Sequence, residues 1–310
     1  VTFTLAANLE FLTQYFISID AGAYVDPYQN ASLAVAATAW TFTTEEEPDL
    51  TPPLVTFTPI STLPKNTIGS QKFEVIATDN KGIASVTMYY RKITEENFKN
   101  LPGLLNAISS KYDFPLSDSY MDEMGMEYYF EAKDAKPNTT RSPVGNTYHH
   151  LRLTYGENLK AITIPASSSK TGYKIISVPY DLQSTSVGLV FTALKAPDPK
   201  SWRLLKYSQT PQSWVEGFQN IEQGVGYFII SRESATIKLD NSTSPNNTQS
   251  SLKSLSLKKG FNLIGNPYNV PISWNEVKSG ITGLGELKVY SGGNYSAGDI
   301  LNEFEGGFVY

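Results

Sequence analysis

Few stretches of this 310-residue chain approach the residue patterns that acid–base or nucleophilic chemistry needs. Histidine occurs only as the neighbours His149 and His150. Adjacent side chains on a strand point to opposite faces, so the two do not readily act as a pair. No His-Glu-x-x-His is present, which argues against the common zinc peptidases. Both histidines are expected at surface positions near a domain edge. Asn294–Gly298, NYSAG, approaches the Gly-x-Ser-x-Gly nucleophile elbow, but Asn294 replaces the first glycine and the strand–turn–helix setting is missing. A polar β-turn is expected there. Glu222 and Glu305 hold matching places in an internal repeat and could face one another as paired glycosidase carboxylates do. Each lies in a turn-like Glu-x-Gly before a strand, where a carboxylate commonly accepts backbone N–H bonds, so a structural role is favoured.

Ligand binding has better candidates. Asp79, Asn80 and Asp134 lie in loops expected to converge at one end of a β-domain, and hard oxygen ligands suit Ca²⁺. Asp26 could serve likewise in the first domain. The spacing is not that of an EF-hand, and Asp and Asn in turns are usually only turn formers. Calcium is the one cofactor these residues suggest; none is required. Trp202, Trp214 and Trp274 are candidates for sugar stacking. The pairs Tyr89-Tyr90 and Tyr128-Tyr129 each put one ring inward and one outward on a strand, and exposed tyrosines also suit protein recognition.

Composition narrows the classes. The net charge of −5 argues against nucleic acid, since phosphate binding needs clustered Lys and Arg. No apolar run approaches the ~20 residues of a membrane-spanning helix. The absence of cysteine removes disulfides, thiolate nucleophiles and Cys-ligated zinc together. With 19 Tyr, 15 Phe and many Gly and Pro, the chain favours an all-β protein.

The elements that must position these residues follow from alternation and turn chemistry. Residues 14–44 alternate apolar and polar residues around an Asp26-Pro27 turn. EEEPDLTPP, residues 45–53, reads as a Pro-stiffened linker. Strands are predicted over Phe73–Ala77, Ala84–Lys92 and 124–134, with a turn at Asp79–Gly82. A short helix is expected near 95–110, capped by Thr94 and limited by Pro102-Gly103.

The last part of the chain repeats itself. GYKIISVPY (Gly172–Tyr180) returns 88 residues later as GFNLIGNPY (Gly260–Tyr268). Lys206-Tyr207-Ser208 and Glu222-x-Gly224 return 83 residues later as Val289-Tyr290-Ser291 and Glu305-x-Gly307. Three matches in one order point to a duplicated half-domain. Asp240–Ser251 is a polar connector between the copies.

On these motifs the chain resembles known modules. Ala21–Ala23, Asp26 and Trp40–Thr44 resemble the C-terminal half of a bacterial Ig-like domain. Asp79–Gly82, Tyr89-Tyr90-Arg91 and Gly125–Asp134 resemble Ig-like or fibronectin-type-III-like modules. The duplicated unit resembles domains near the C-termini of large secreted and surface proteins of Bacteroidetes-type bacteria, which leave through the type 9 secretion system. The resemblance implies tandem β-sandwiches followed by a duplicated β-domain. The expected division is 1–44, the end of an Ig-like domain; 45–53, linker; 54–160, Ig-like or fibronectin-III-like; and 161–310, with repeats at about 172–239 and 260–310, the second truncated. It also implies an extracellular or cell-surface setting and a non-catalytic spacer, stalk or adhesion role. Expected partners are surface proteins, glycans and the secretion machinery. The alternatives are an accessory region of a secreted hydrolase and a carbohydrate-binding module.

Overall fold

The computed structural model describes residues 4–5, 7–136, 138–157, 159–195, 198–248 and 251–310, so residues 249 and 250 of the expected connector lie outside it. Strand makes up 43% of the described residues and helix 8%, so the all-β expectation holds. Among the described residues no helix is long and apolar enough to cross a membrane. The chain divides into two compact units, Val1–Thr51 and Pro52–Tyr310.

In the first unit β1 (Gln14–Phe16) pairs antiparallel with β2 (Thr41–Thr43), placing the Tyr15 and Phe42 rings 5.9 Å apart. The intervening chain is pinned by the bridges Ile19–Val35 and Val25–Ala31 and turned by Asp26. Asp26 Oδ1 accepts the N–H groups of Tyr28 and Asn30 at 2.8 and 2.9 Å, and Oδ2 accepts the Asn30 amide at 2.8 Å. Hydrogen bonds from Asn30, side chain then backbone, hold this carboxyl below the usual aspartate range. Asp26 is a turn former with both oxygens in use.

The second unit opens with two packed sheets. One has the order β3 (Leu54–Thr56), β5 (Lys72–Thr78), β9 (Lys111–Pro115), β8 (Leu104–Asn106). The other has the order β19 (Ser242–Thr243), β12 (His149–Tyr155), β10 (Met126–Asp134), β6 (Ile83–Lys92), β7 (Lys99–Pro102). Here β11 (Thr139–Ser142) joins β10, and β4 (Thr62–Pro64) runs parallel to β12. Strict alternation builds the core: Phe73, Val75 and Ala77 of β5 point in while Lys72, Glu74 and Thr78 point out. Phe73 stacks on Tyr128 of the facing sheet at 4.5 Å, and Phe114 meets Phe130 at 5.0 Å. Because β5 and β6 belong to different sheets, the Asp79–Gly82 turn arches between layers, with Gly82 at φ +95°.

The helix expected near 95–110 is absent. Residues Lys99–Pro102 instead pair with Thr87–Tyr90, and Leu104–Asn106 with Lys111–Asp113. Leu104, Leu105 and Ile108 are all exposed, so no buried apolar stripe exists to hold a helix. Gly103 passes the chain from one sheet to the other: a Cβ there would lie 2.7 Å from the Phe114 ring. Helices sit instead at α1 (Val187–Val190) and α2 (Trp274–Ser279).

The core continues past residue 160. Leu63, Tyr128, Tyr155, Ile162, Trp202, Tyr227 and Leu239 belong to one buried cluster, and β19 pairs with β12. Two four-stranded sheets of identical order follow, the first lending Trp202 and Tyr227 to this cluster. The first is β14 (Lys174–Ile176), β17 (Tyr227–Ser231), β15 (Trp202–Gln209), β16 (Gln212–Glu216). The second is β20 (Asn262–Gly265), β25 (Gly306–Val309), β22 (Leu287–Ser291), β23 (Asn294–Gly298). Two short pairs flank them, β13 (Ala161–Ile164) with β18 (Ala235–Lys238) and β21 (Ile272–Ser273) with β24 (Ile300–Leu301).

The repeated phrases GYKIISVPY and GFNLIGNPY supply the equivalent strands β14 and β20. Their contacts are reciprocal: Ser177 donates to Phe304 O at 2.8 Å and Gly265 to Gly224 O at 2.9 Å, while bridges join Ile176 to Glu305 and Ile264 to Val225. This exchange corrects one match. Ile175 faces Phe228 and Leu263 faces Phe308, so Phe228 and Phe308 are equivalent, 80 residues apart. Glu222 then corresponds to Asn302, not to Glu305, and Gly224 to Phe304, not to Gly307. Gly224 and Phe304 share the left-handed backbone, φ +84° and +65°. NYSAG is the strand β23; the turn before it is Gly292-Gly293, at φ +59° and +91°.

Candidate functional site

The two four-stranded sheets meet in an aromatic layer in which each residue has a counterpart. Ile175, Phe228, Leu263 and Phe308 form its buried centre, flanked by Tyr173, Tyr207 and Tyr290. Hairpin pairing sets the outer rings: Tyr207 opposes Trp214 at 5.3 Å in one copy, and Tyr290 opposes Tyr295 at 5.1 Å in the other. Each copy lends a tyrosine to its neighbour, Tyr207 to Phe308 at 5.6 Å and Tyr290 to Phe228 at 5.0 Å. Trp214, Phe261 and Tyr295 remain 46%, 51% and 51% exposed.

Two clefts result. One, of 440 Å³, is lined by Tyr207, Phe261, Lys288, Tyr295 and Phe308. The other, of 410 Å³, lies among Tyr173, Arg203, Trp214, Phe228, Tyr290 and Tyr295. Both fall in the ~300–1,000 Å³ range of small-ligand clefts. Their cations are already paired, Arg203 with Glu216 through two bonds of 3.0 and 2.8 Å and Lys288 with Glu286 at 2.7 Å. Arg203 holds the Glu216 carboxyl below its usual range, and burial raises the Tyr295 phenol.

Of the three tryptophans singled out in the sequence, only Trp214 belongs here. Trp202 is buried against Phe191 at 5.8 Å, and Trp274 is buried with its indole N–H on Gly285 O at 3.1 Å. The β-strand period puts Trp202 on the inner and Trp214 on the outer side of one hairpin; α2 buries Trp274. The open tyrosines and Phe261 were not singled out, although the repeat holds the signal: Tyr207 and Tyr290 stand at matching positions.

The candidate metal ligands lie elsewhere in this unit. Carboxylate oxygens of Asp79 and Asp134 come within 4.8 Å of one another. Asp134 is aimed by a register break at the end of β10 and accepts the backbone and side-chain N–H groups of Asn138 at 3.1 and 2.7 Å. Asp79 Oδ1 accepts from Lys81 N–H at 2.8 Å, while its Oδ2 is buried without a hydrogen-bond partner. Asn80 is exposed in the same turn. Two hard oxygen donors are thus brought together.

The acid–base candidates are used structurally. His149 packs on Phe57 and Tyr128 at 5.4 and 5.2 Å, and burial pushes both histidines below their usual pKa. They lie within β12, half-buried, rather than at an exposed domain edge. Glu222 pairs with Lys206 at 3.2 Å, and Glu305 accepts the backbone and side-chain N–H groups of Asn302 at 3.0 and 2.9 Å. The carboxylates that approach a common cation are Glu123 and Glu303, each 3.2 Å from Lys160 Nζ. Tyr155 donates to Glu123 at 2.9 Å and Tyr180 donates to Glu303, tying the sandwich to both copies of the repeat. Burial, reinforced by these carboxylates, drives both phenol pKa values up.

No protein-family model matches the chain, and no curated protein matches it either.

Proposed function

We propose that this chain is a non-catalytic, adhesive region of a large secreted bacterial surface protein, with β-modules that space and present a contact face. The observation that carries the reading is the open aromatic layer of the duplicated sheets, where Trp214, Phe261 and Tyr295 are about half exposed. Aromatic residues are the ones enriched where proteins make contacts, since a rigid ring offers large area at small entropic cost. The structural employment of His149, Glu222 and Glu305 agrees with a role that needs no reactive group. The secretion context comes from the resemblance of the repeated motifs alone.

Beads carrying the chain are expected to adhere to bacterial or host surface material in a shear assay. The double variant Trp214→Ala/Tyr295→Ala, altered at partly exposed positions, lowers retention at least fivefold, on the order of 1 kcal/mol for the pair of rings, and keeps the wild-type circular dichroism. Equal retention of the folded variant, or no retention of the wild type, defeats the adhesive reading.

A further inference from the structure

The aromatic layer holds two clefts that are copies of one another. In each, an outer ring on the second hairpin strand (Trp214 or Tyr295) stands beside an inner phenylalanine (Phe228 or Phe308), at 5.0 and 5.8 Å. In each, a tyrosine from the other copy closes one wall (Tyr290 or Tyr207). A third ring, Tyr173 or Phe261, lies 6.0 or 6.2 Å from the inner phenylalanine. Tyr295 lines both clefts, so they are contiguous.

From this we infer that the two clefts are paired subsites for a neutral oligosaccharide, occupied by separate sugar units of one chain; the inference rests on the adhesive reading. Three observations select the ligand. First, each cleft is walled by aromatic rings, whose faces match the apolar C–H face that a pyranose offers. Second, Arg203 and Lys288 are each already paired with a glutamate, so the clefts hold no unmatched cation for a uronate, sulfate or phosphate. Third, two equivalent clefts side by side suit a ligand that repeats its own chemistry. A glycan repeats; a peptide of ordinary sequence does not.

The test is calorimetric titration of the full chain with neutral homo-oligosaccharides of glucose, N-acetylglucosamine, mannose and xylose, graded in length. Affinity is expected to rise by about a hundredfold once one series is long enough to reach both clefts, because the second contact becomes intramolecular. Trp214→Ala and Phe261→Ala, one in each cleft and both at partly exposed positions, each abolish that gain while short oligomers still bind. Affinity independent of length, or loss from only one variant, overturns the paired-subsite inference and leaves adhesion intact. So does saturable binding of peptides, or self-association of the chain, with no saccharide bound. Failure of the bead assay above defeats the adhesive reading separately, whatever the titration shows.

Discussion

Asp79 and Asp134 place carboxylate oxygens within 4.8 Å of one another, one of them buried without a hydrogen-bond partner. Like charges that close raise each other's cost of ionisation unless a cation lies between them. We propose that this cation is Ca²⁺, bound in the millimolar to submillimolar range of extracellular modules. Calcium at about ten times its dissociation constant is expected to stabilise the protein by on the order of 1 kcal/mol in thermal melts, relative to chelator. Asp79→Asn is expected to abolish that response. If Asp79→Asn instead raises the melting temperature and calcium changes nothing, the pair is an unrelieved like-charge contact and the calcium reading fails. At this scale the residue types were legible in the sequence and their surroundings were not. Three tryptophans look alike as letters, yet Trp202 and Trp274 are core while Trp214 is open. The difference is the side of a pleat or helix on which each falls, and the neighbours that cover it.

Among the elements, strands β14 and β20 carry the most constraint, since each crosses to the other copy. Gly265 shows how close the crossing is: a Cβ there would sit 2.5 Å from both Val225 O and the Ser177 side chain. Backbone cannot yield as a flexible side chain would, so Gly265→Ala is expected to cost about 1–3 kcal/mol in urea unfolding, as overpacking does. Gly188→Ala in α1 meets nothing within 4 Å and is expected to be neutral or slightly stabilising. Similar losses from both variants would refute the close approach. The strands themselves were readable: a strand is found over the expected Phe73–Ala77, with Phe73, Val75 and Ala77 inward and Glu74 and Ile76 outward. No helix forms near 95–110 because a cap at Thr94 and acidic neighbours describe only a local start, whereas Gly103 fits a corner between sheets. The repeat match slipped by three residues for a related reason. Phe304 carries the left-handed turn that Gly224 carries in the first copy, so identical glycines do not mark identical backbone positions.

Within the unit Pro52–Tyr310, the sandwich and the first repeat share one buried cluster, from Leu63 to Leu239. Arg152 of β12 donates to Ser244 O at 2.9 Å, and Asn269 donates to Glu123 O at 2.6 Å, so polar ties also span the expected boundary near 160. Residues 161–310 expressed alone are therefore expected to bind a hydrophobic dye and melt without cooperativity, while residues 52–310 melt in one transition. Two resolved transitions in the longer protein, one matching the fragment, would show separable domains instead. The sequence by itself determined the all-β class, the main strands and the presence of a repeated phrase, because alternation and turn chemistry are local and survive any packing. Only the tertiary structure decided which rings stay open, which carboxylates meet and where the core ends. Those properties arise from contacts between residues far apart in sequence, such as Phe228 with Tyr290 (290 − 228 = 62) or Tyr207 with Phe308 (308 − 207 = 101), which no local pattern records.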